Sequence, residues 1–549
     1  MALLDPAFAH SAVQWNAQTA RHLLNRAGFG VPVLAVGRLA GMKPDEALRS
    51  FVDYERYPDT LPGLPALPES EYAAIGRLGK TTMTEEERRV ARQAHQKAAR
   101  EAMMELQLWW VDRMTRTPRP LEEKLTLFWH GHFVTSAEKV RDPGDNAQLN
   151  MFLRANASGN FKTLVLGVAR SPAMLRYLDN MRSSRQKPNE NWARELLELF
   201  TLGIGNYTED DIKAAARAFT GWTARNGEFV YEARRHDNDE KTFLGTMGAL
   251  DGVDVVEAIL ANPACARHIC TRLWRFFAYE DPEPEVIDGL AATMRASNYE
   301  LKPVLRQMFA SRAFYSDRAL GTQIKSPAQL MVNLRTLPGV VDGDPPRVTL
   351  IAMRAMGQTL FYPPNVKGWD GGHAWINTDT LLARCNYASH LVSGVVPARP
   401  VRGKGKSATA TSEPMESMEA MVAEPTRMLD APSGQDAMSG EIPSRELART
   451  LRSKQEARDS ERMMRRAPMK ARDFFAPCEG MTPDEMTDYL AAWFLGSAPD
   501  AAVRRRVALA LAGGAEDRTR VAVPVAAMDE AHLRAGLQLL LSAAEFQLC

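Results

Sequence analysis

The chain has 549 residues, 45% hydrophobic and 25% charged, with 68 Lys and Arg against 67 Asp and Glu. That length supports a large core, and a formal net charge of +1 leaves no electrostatic footprint for nucleic acid or an anionic membrane. No apolar run is long enough to be a transmembrane segment, and five cysteines without a CxxC pair read as free thiols in a reducing compartment.

The first thirty residues lack a basic stretch followed by an apolar one, so no signal peptide is expected and a cytoplasmic location follows. Thr84-Glu85-Glu86-Glu87 is a capping box, and the segment after it stays helix-compatible to about Arg116. Met103, Leu106, Trp109, Trp110 and Met114 fall there at core spacing.

A helix beginning at Pro120 leads into LFWHGHF, residues 127–133. His130 and His132 are about 200° apart on a helix, so they can share a ligand only if Gly131 ends it. On non-helical backbone the pair suits a metal; on a helix end it is favoured by the dipole and packs among Phe128, Trp129 and Phe133.

KPNENWARELLELFTLG, residues 187–203, reads as one short helix started by Pro188-Asn189 and stopped by Gly203 and Gly205. Trp192, Leu196, Leu199 and Phe200 share a broad face, while Asn191, Glu195 and Glu198 form a second stripe within about 60° of one another. Two carboxylates one turn apart can bind a metal or share a proton. They can equally be a wetted face, with i,i+4 ion pairs Glu190–Arg194 and Arg194–Glu198.

Thr208 starts another helix that ends at Gly221-Trp222. GEFVYEARRHDNDEKTFLG, residues 227–245, is expected to form a hairpin turning near Asp237-Asn238-Asp239, with His236 and Asp237 among the polar groups at its tip. Helices fit 253–260, 264–279, 284–295, 301–309 and 326–336. Cys265 and Cys270 flank His268 but lie about 140° apart on a helix, which favours packing over metal binding.

FYPPNVKGWDGGHAWIN, residues 361–377, is an aromatic loop in which two prolines and three glycines forbid regular structure. Trp369, His373 and Trp375 suit a substrate platform, or they pin the loop to the body. From 398 to 477 few aromatics and much Ser, Met, Pro, Ala and charge predict a disordered insertion. Order is expected to resume at MTPDEMTDYL and continue through C-terminal helices. The expected architecture is mainly α, with a main helical domain over 1–397, the insertion over 398–477, and residues 478–549 packing back on the main domain. No G-x-S-x-G, P-loop, H-E-x-x-H or strand-borne G-x-G-x-x-G occurs, which disfavours the common hydrolase, kinase and dehydrogenase readings.

RHLLNRAGFG, LFWHGHF, PAMLRYLDN, PNENWARELLELFTLG, KSPAQL and PPNVKGWDGGHAWI, in that order over about 21–387, resemble the bacterial domain-of-unknown-function 1800 family. The resemblance implies no activity. It implies a neighbour, a sulfatase-like protein of the domain-of-unknown-function 1501 family, and export in many members, from which this sequence departs by lacking a signal. It also implies that His130, His132, Glu195, Glu198, His236, Asp237 and Trp369 are motif residues.

The leading expectation is a metal-dependent, hydrolase-like enzyme. His130, His132, His236 and Asp237 would hold one divalent ion with Glu195 or Glu198, and the mixed donor set suits Zn, Mn or Fe. The remaining carboxylate would be the general base, and Asn191, Trp369, His373 and Trp375 would hold substrate. The alternative is a non-catalytic scaffold or partner of the sulfatase-like protein; a third reading is glycan binding through Trp369 and Trp375.

Overall fold

A computed structural model describes residues 2–9, 13–30, 33–68, 70, 84–337, 340, 346–394, 469–495 and 499–549. The chain is mainly α. In order, the helices are α1 (Ala17–Ala27), α2 (Val33–Ala40), α3 (Pro44–Val52), α4 (Glu85–Arg116), α5 (Pro120–His132), α6 (Pro143–Ala155), α7 (Phe161–Arg170), α8 (Pro172–Tyr177), α9 (Glu190–Glu195) and α10 (Glu209–Ala218). They continue as α11 (Gly252–Ala261), α12 (Pro263–Phe277), α13 (Pro284–Ala296), α14 (Leu301–Ala310), α15 (Pro327–Arg335), α16 (Pro346–Ala355) and α17 (Thr378–Ser393). After the insertion come α18 (Ala471–Phe475), α19 (Pro483–Phe494), α20 (Ala501–Leu511) and α21 (Glu530–Ser542).

Caps fix many of these boundaries. Thr84 with Glu87 and Thr208 with Asp211 form reciprocal capping boxes, as the spacing predicts. The expected single hairpin is instead two. β1 (Trp222–Arg225) pairs antiparallel with β2 (Glu228–Tyr231), and β3 (Lys241–Phe243) with β4 (Thr246–Gly248). Asn226 and Gly227, both at positive φ, make the first turn, a signal present in the sequence as Asn-Gly. Residues 237–239 therefore connect two hairpins and are no tip.

The buried apolar residues form two clusters. One joins α1–α3 with α5–α14; the other joins α4 with α15–α21. Glu123 on α5 is fully buried between them. It accepts from Trp110 Nε1 (3.0 Å) and Arg113 Nε (2.7 Å) of α4, and from Arg154 Nε (2.7 Å) and Nη2 (3.1 Å) of α6. A buried carboxylate with this many charge-assisted donors is satisfied and geometrically rigid.

The segment expected to be disordered falls, from 398 to 468, outside the described residues. Its last part differs from expectation: Met469, Ala471, Phe474 and Phe475 are buried in the second cluster, so order resumes before residue 478. Gln323 and Lys325 pair with Cys549 and Gln547, closing that cluster through an antiparallel bridge between Ile324 and Leu548.

Candidate functional site

α5 does not stop at Gly131. It runs to His132, and Phe133 N–H closes on Trp129 O at 2.7 Å. Continuous helix sends His130 and His132 to opposite sides, so the two rings do not meet at one point. Each ring instead makes one backbone bond. His130 Nε2 accepts from Phe361 N–H at 3.1 Å, which requires an unprotonated nitrogen there. Burial pushes the His130 pKa down to about 3, matching that role. Phe361 has a left-handed backbone, φ +66°, costly for an aromatic residue and held by the His130 bond, by Ala137 N–H on its carbonyl (2.9 Å) and by its ring against Trp110. His130 thus pins the start of the aromatic loop.

His132 works the other way. Its Nε2 lies 3.0 Å from Phe200 O, and a carbonyl only accepts, so this nitrogen carries the proton. Burial and the nearby Arg272 and His268 hold the ring neutral, its pKa well below the usual value.

Phe200 belongs to the carboxylate segment. Asn189 caps α9 as expected, its side chain accepting from Asn191 N–H at 2.9 Å. After Glu195 the helix widens into a π-turn, Leu196–Thr201, with Leu202 N–H bonded to Leu197 O at 2.9 Å. The turn ends at Gly203 (φ +78°), leaving carbonyls without helical partners. His268 Nε2 takes Leu199 O at 3.0 Å, and His132 takes Phe200 O.

Glu195 stands just before this irregularity and Glu198 within it, both half-buried. Burial raises the Glu195 pKa, the adjacent Glu198 charge raises it further, and Arg194 and Lys367 oppose. Tyr207 donates to Glu198 Oε2 at 3.2 Å, and burial with the Glu198 charge lifts the phenol to about 12. Burial raises Tyr177, as do the charges of Glu195 and Glu138; burial raises Tyr362, and Glu138 adds to it. The expected Arg194–Glu198 pair does not form: Arg194 reaches Glu209 with both terminal nitrogens at 2.8 Å. Asn191 is exposed on the first turn of α9.

Lys367 brings the aromatic loop to this surface. Gly368 (φ +85°) lies so close to α5 that a Cβ there would stand 2.5 Å from Gly131 O. Beside it the half-buried Trp369 ring lies 6.0 Å from His130, centroid to centroid. Trp375 is only 8% exposed and offers no open face, while His373 is exposed in the turn Gly372–Trp375. Trp369 and Trp375 therefore do not make a shared sugar platform.

The fourth segment serves another corner. His236 Nδ1 donates to Thr220 O at 2.9 Å, and Arg217 holds the Asp237 carboxylate at 2.6 and 3.1 Å, keeping its pKa below the ordinary value. Among the described residues no three His, Cys, Asp or Glu side chains are grouped as ligands for one ion. The set His130, His132, His236, Asp237 with a glutamate does not meet around a single point in this arrangement: the helix splays the first two rings, and His236 and Asp237 are tied to Thr220 and Arg217 at another corner.

LFWHGHF, the carboxylate segment and the aromatic loop thus converge on a glutamate pair framed by phenols and one lysine. The sequence does not single out Tyr177, Tyr207, Glu138 or Lys367, and for His268 it favours packing. Tyr177 and Lys367 lie inside the quoted motifs, whereas Glu138 carries no spacing signal.

Residues 22–548 match the model of a family described as "Protein of unknown function (DUF1800)". No curated protein and no solved structure matches the chain.

Proposed function

The chain belongs to the DUF1800 family, whose description carries no activity, and we propose from its site that it is a hydrolase-like enzyme with the Glu195–Glu198 pair as proton-transfer centre. The observation that carries this reading is the raised proton affinity of Glu195 beside a second carboxylate, where three distant segments meet. Carboxyl groups with unlike environments divide acid and base roles. Glu195, protonated more readily, gives its proton to a leaving group. Glu198, an acceptor for Tyr207, takes the proton of the attacking water. Lys367 and Trp369 present the substrate, which lies across an open surface. No step is assigned to a metal, because the expected ligands are not brought together among the described residues.

The test is a panel of chromogenic esters, phosphomonoesters and glycosides, each run with and without Zn²⁺, Mn²⁺ or Fe²⁺. A substrate turned over by the wild type should lose about 100-fold or more in rate with Glu195→Gln and with Glu198→Gln. Full activity in both variants would sink the reading.

A further inference from the structure

His132 and His268 come from helices far apart in sequence, yet both reach the same turn. Each presents Nε2–H to a carbonyl at 3.0 Å, and the two carbonyls, Phe200 and Leu199, are consecutive. Their ring centroids are 6.3 Å apart. Gly203 is part of the same fit: a Cβ there would stand 2.9 Å from His268 Nδ1, so only glycine lets the chain turn beneath that ring. His132 is 3% exposed and its Nδ1 makes no hydrogen bond, so the ring holds its place through the Nε2 contact and packing against Phe128, Phe133 and Phe200.

A π-turn has poorer internal bonding than an α-helix, and its persistence requires contacts from outside. We propose that His132 and His268 are positioning residues: their paired bonds to Leu199 and Phe200 hold residues 196–201 in the π form and so set the placement of Glu198 against Glu195. Without them the turn can relax toward α-helical pairing, which rotates Glu198 about the axis relative to Glu195. This inference rests on the acid–base reading above for its functional meaning, and on the hydrogen bonds alone for its geometry. It also gives the second histidine of LFWHGHF a task that needs an Nε2–H donor and no metal. Arg272, one turn from His268 on α12, lowers the proton affinity of both rings and so favours the neutral donors.

The experiment is a titration of the Glu195 carboxyl in protein labelled with carboxyl-¹³C glutamate, the signal assigned by its loss in Glu195→Gln. Four variants are compared with the wild type: His268→Gln, His268→Phe, His132→Gln and His132→Phe. Phenylalanine keeps the ring and removes the donor; glutamine keeps an N–H donor near the same place. Circular dichroism checks that each is folded, and the half-buried His268 carries the test if His132→Phe does not fold.

We expect the phenylalanine variants to lose the part of the Glu195 elevation that the Glu198 charge contributes, and the glutamine variants to retain it. Amide exchange at Leu202 and Gly203, whose N–H groups bond Leu197 O, should accelerate in the phenylalanine variants alone. Folded phenylalanine variants with unchanged titration and unchanged exchange overturn the inference. An ordinary Glu195 titration in the wild type overturns the acid–base reading instead. The exchange data then still decide whether the histidines hold the turn.

Discussion

His130 and His132 sit two positions apart on one helix and play opposite parts, one accepting a backbone hydrogen bond and the other donating. The first part requires a neutral ring, and burial above all keeps the other two rings neutral as well, His132 well below the usual value and His268 down to about 4. A histidine in an unfolded chain titrates near 6.5, so on acidification the unfolded state takes up protons first. The contribution of these rings is complete above about pH 6.5 and is lost progressively as pH falls; for His268 the loss ends near pH 4. Urea unfolding at pH 7, 5.5 and 4.5 should show this decline, and His268→Gln should flatten it. Glu195 behaves in the opposite sense. Its ionised form is penalised in the fold, so Glu195→Gln should unfold at an equal or higher urea concentration than the wild type at pH 7. A residue kept at a cost to stability is the mark of a working group.

The loop from Phe361 to Trp375 is held by close approach more than by regular bonding. Gly368→Ala would drive a Cβ against Gly131 O on a backbone that L-residues avoid, costing about 1–3 kcal/mol and displacing Trp369. Thermal unfolding and tryptophan fluorescence would read the two effects. The helices of the main body were legible because caps and 3.6-residue periodicity are local: Thr84, Thr208 and Asn189 all cap as their spacing predicts. The π-turn was not legible. LLELFT carries the same apolar pattern whether its bonds span four residues or five, and the choice is made by His132 and His268 from outside the segment. The hairpin was misplaced for a different reason: charge at residues 236–241 drew the turn away from Asn226-Gly227. Of the candidate site, the sequence names the glutamates and the loop but not the phenols and lysine around them. Whether His130 and His132 share a side depends on helix continuity through Gly131, which Phe133 N–H bonding Trp129 O settles and no spacing rule discloses.

Two apolar clusters share one molecule because α5 faces both, and Glu123 ties them through Trp110 and Arg113 on one side and Arg154 on the other. Glu123→Gln removes the charge that the buried guanidinium groups of Arg113 and Arg154 share and should cost about 3–5 kcal/mol. If the coupling runs through this residue, near- and far-ultraviolet circular dichroism should coincide during urea unfolding of the wild type and separate in the variant. A single sharp transition by both probes would show that apolar contacts alone join the clusters. The bridge of Gln323 and Lys325 to Gln547 and Cys549 bears on a different property, the order of events during synthesis. The first cluster is complete in residues before 320, whereas Lys325 Nζ waits for the carbonyl of Phe546, 221 positions on. Loop closure over such a span is slow, so through the remaining synthesis a growing chain carries a finished first cluster and an open second one. The glutamate surface lies on the half that finishes early, but its lysine and tryptophan lie on the loop after residue 360. The site is therefore assembled late.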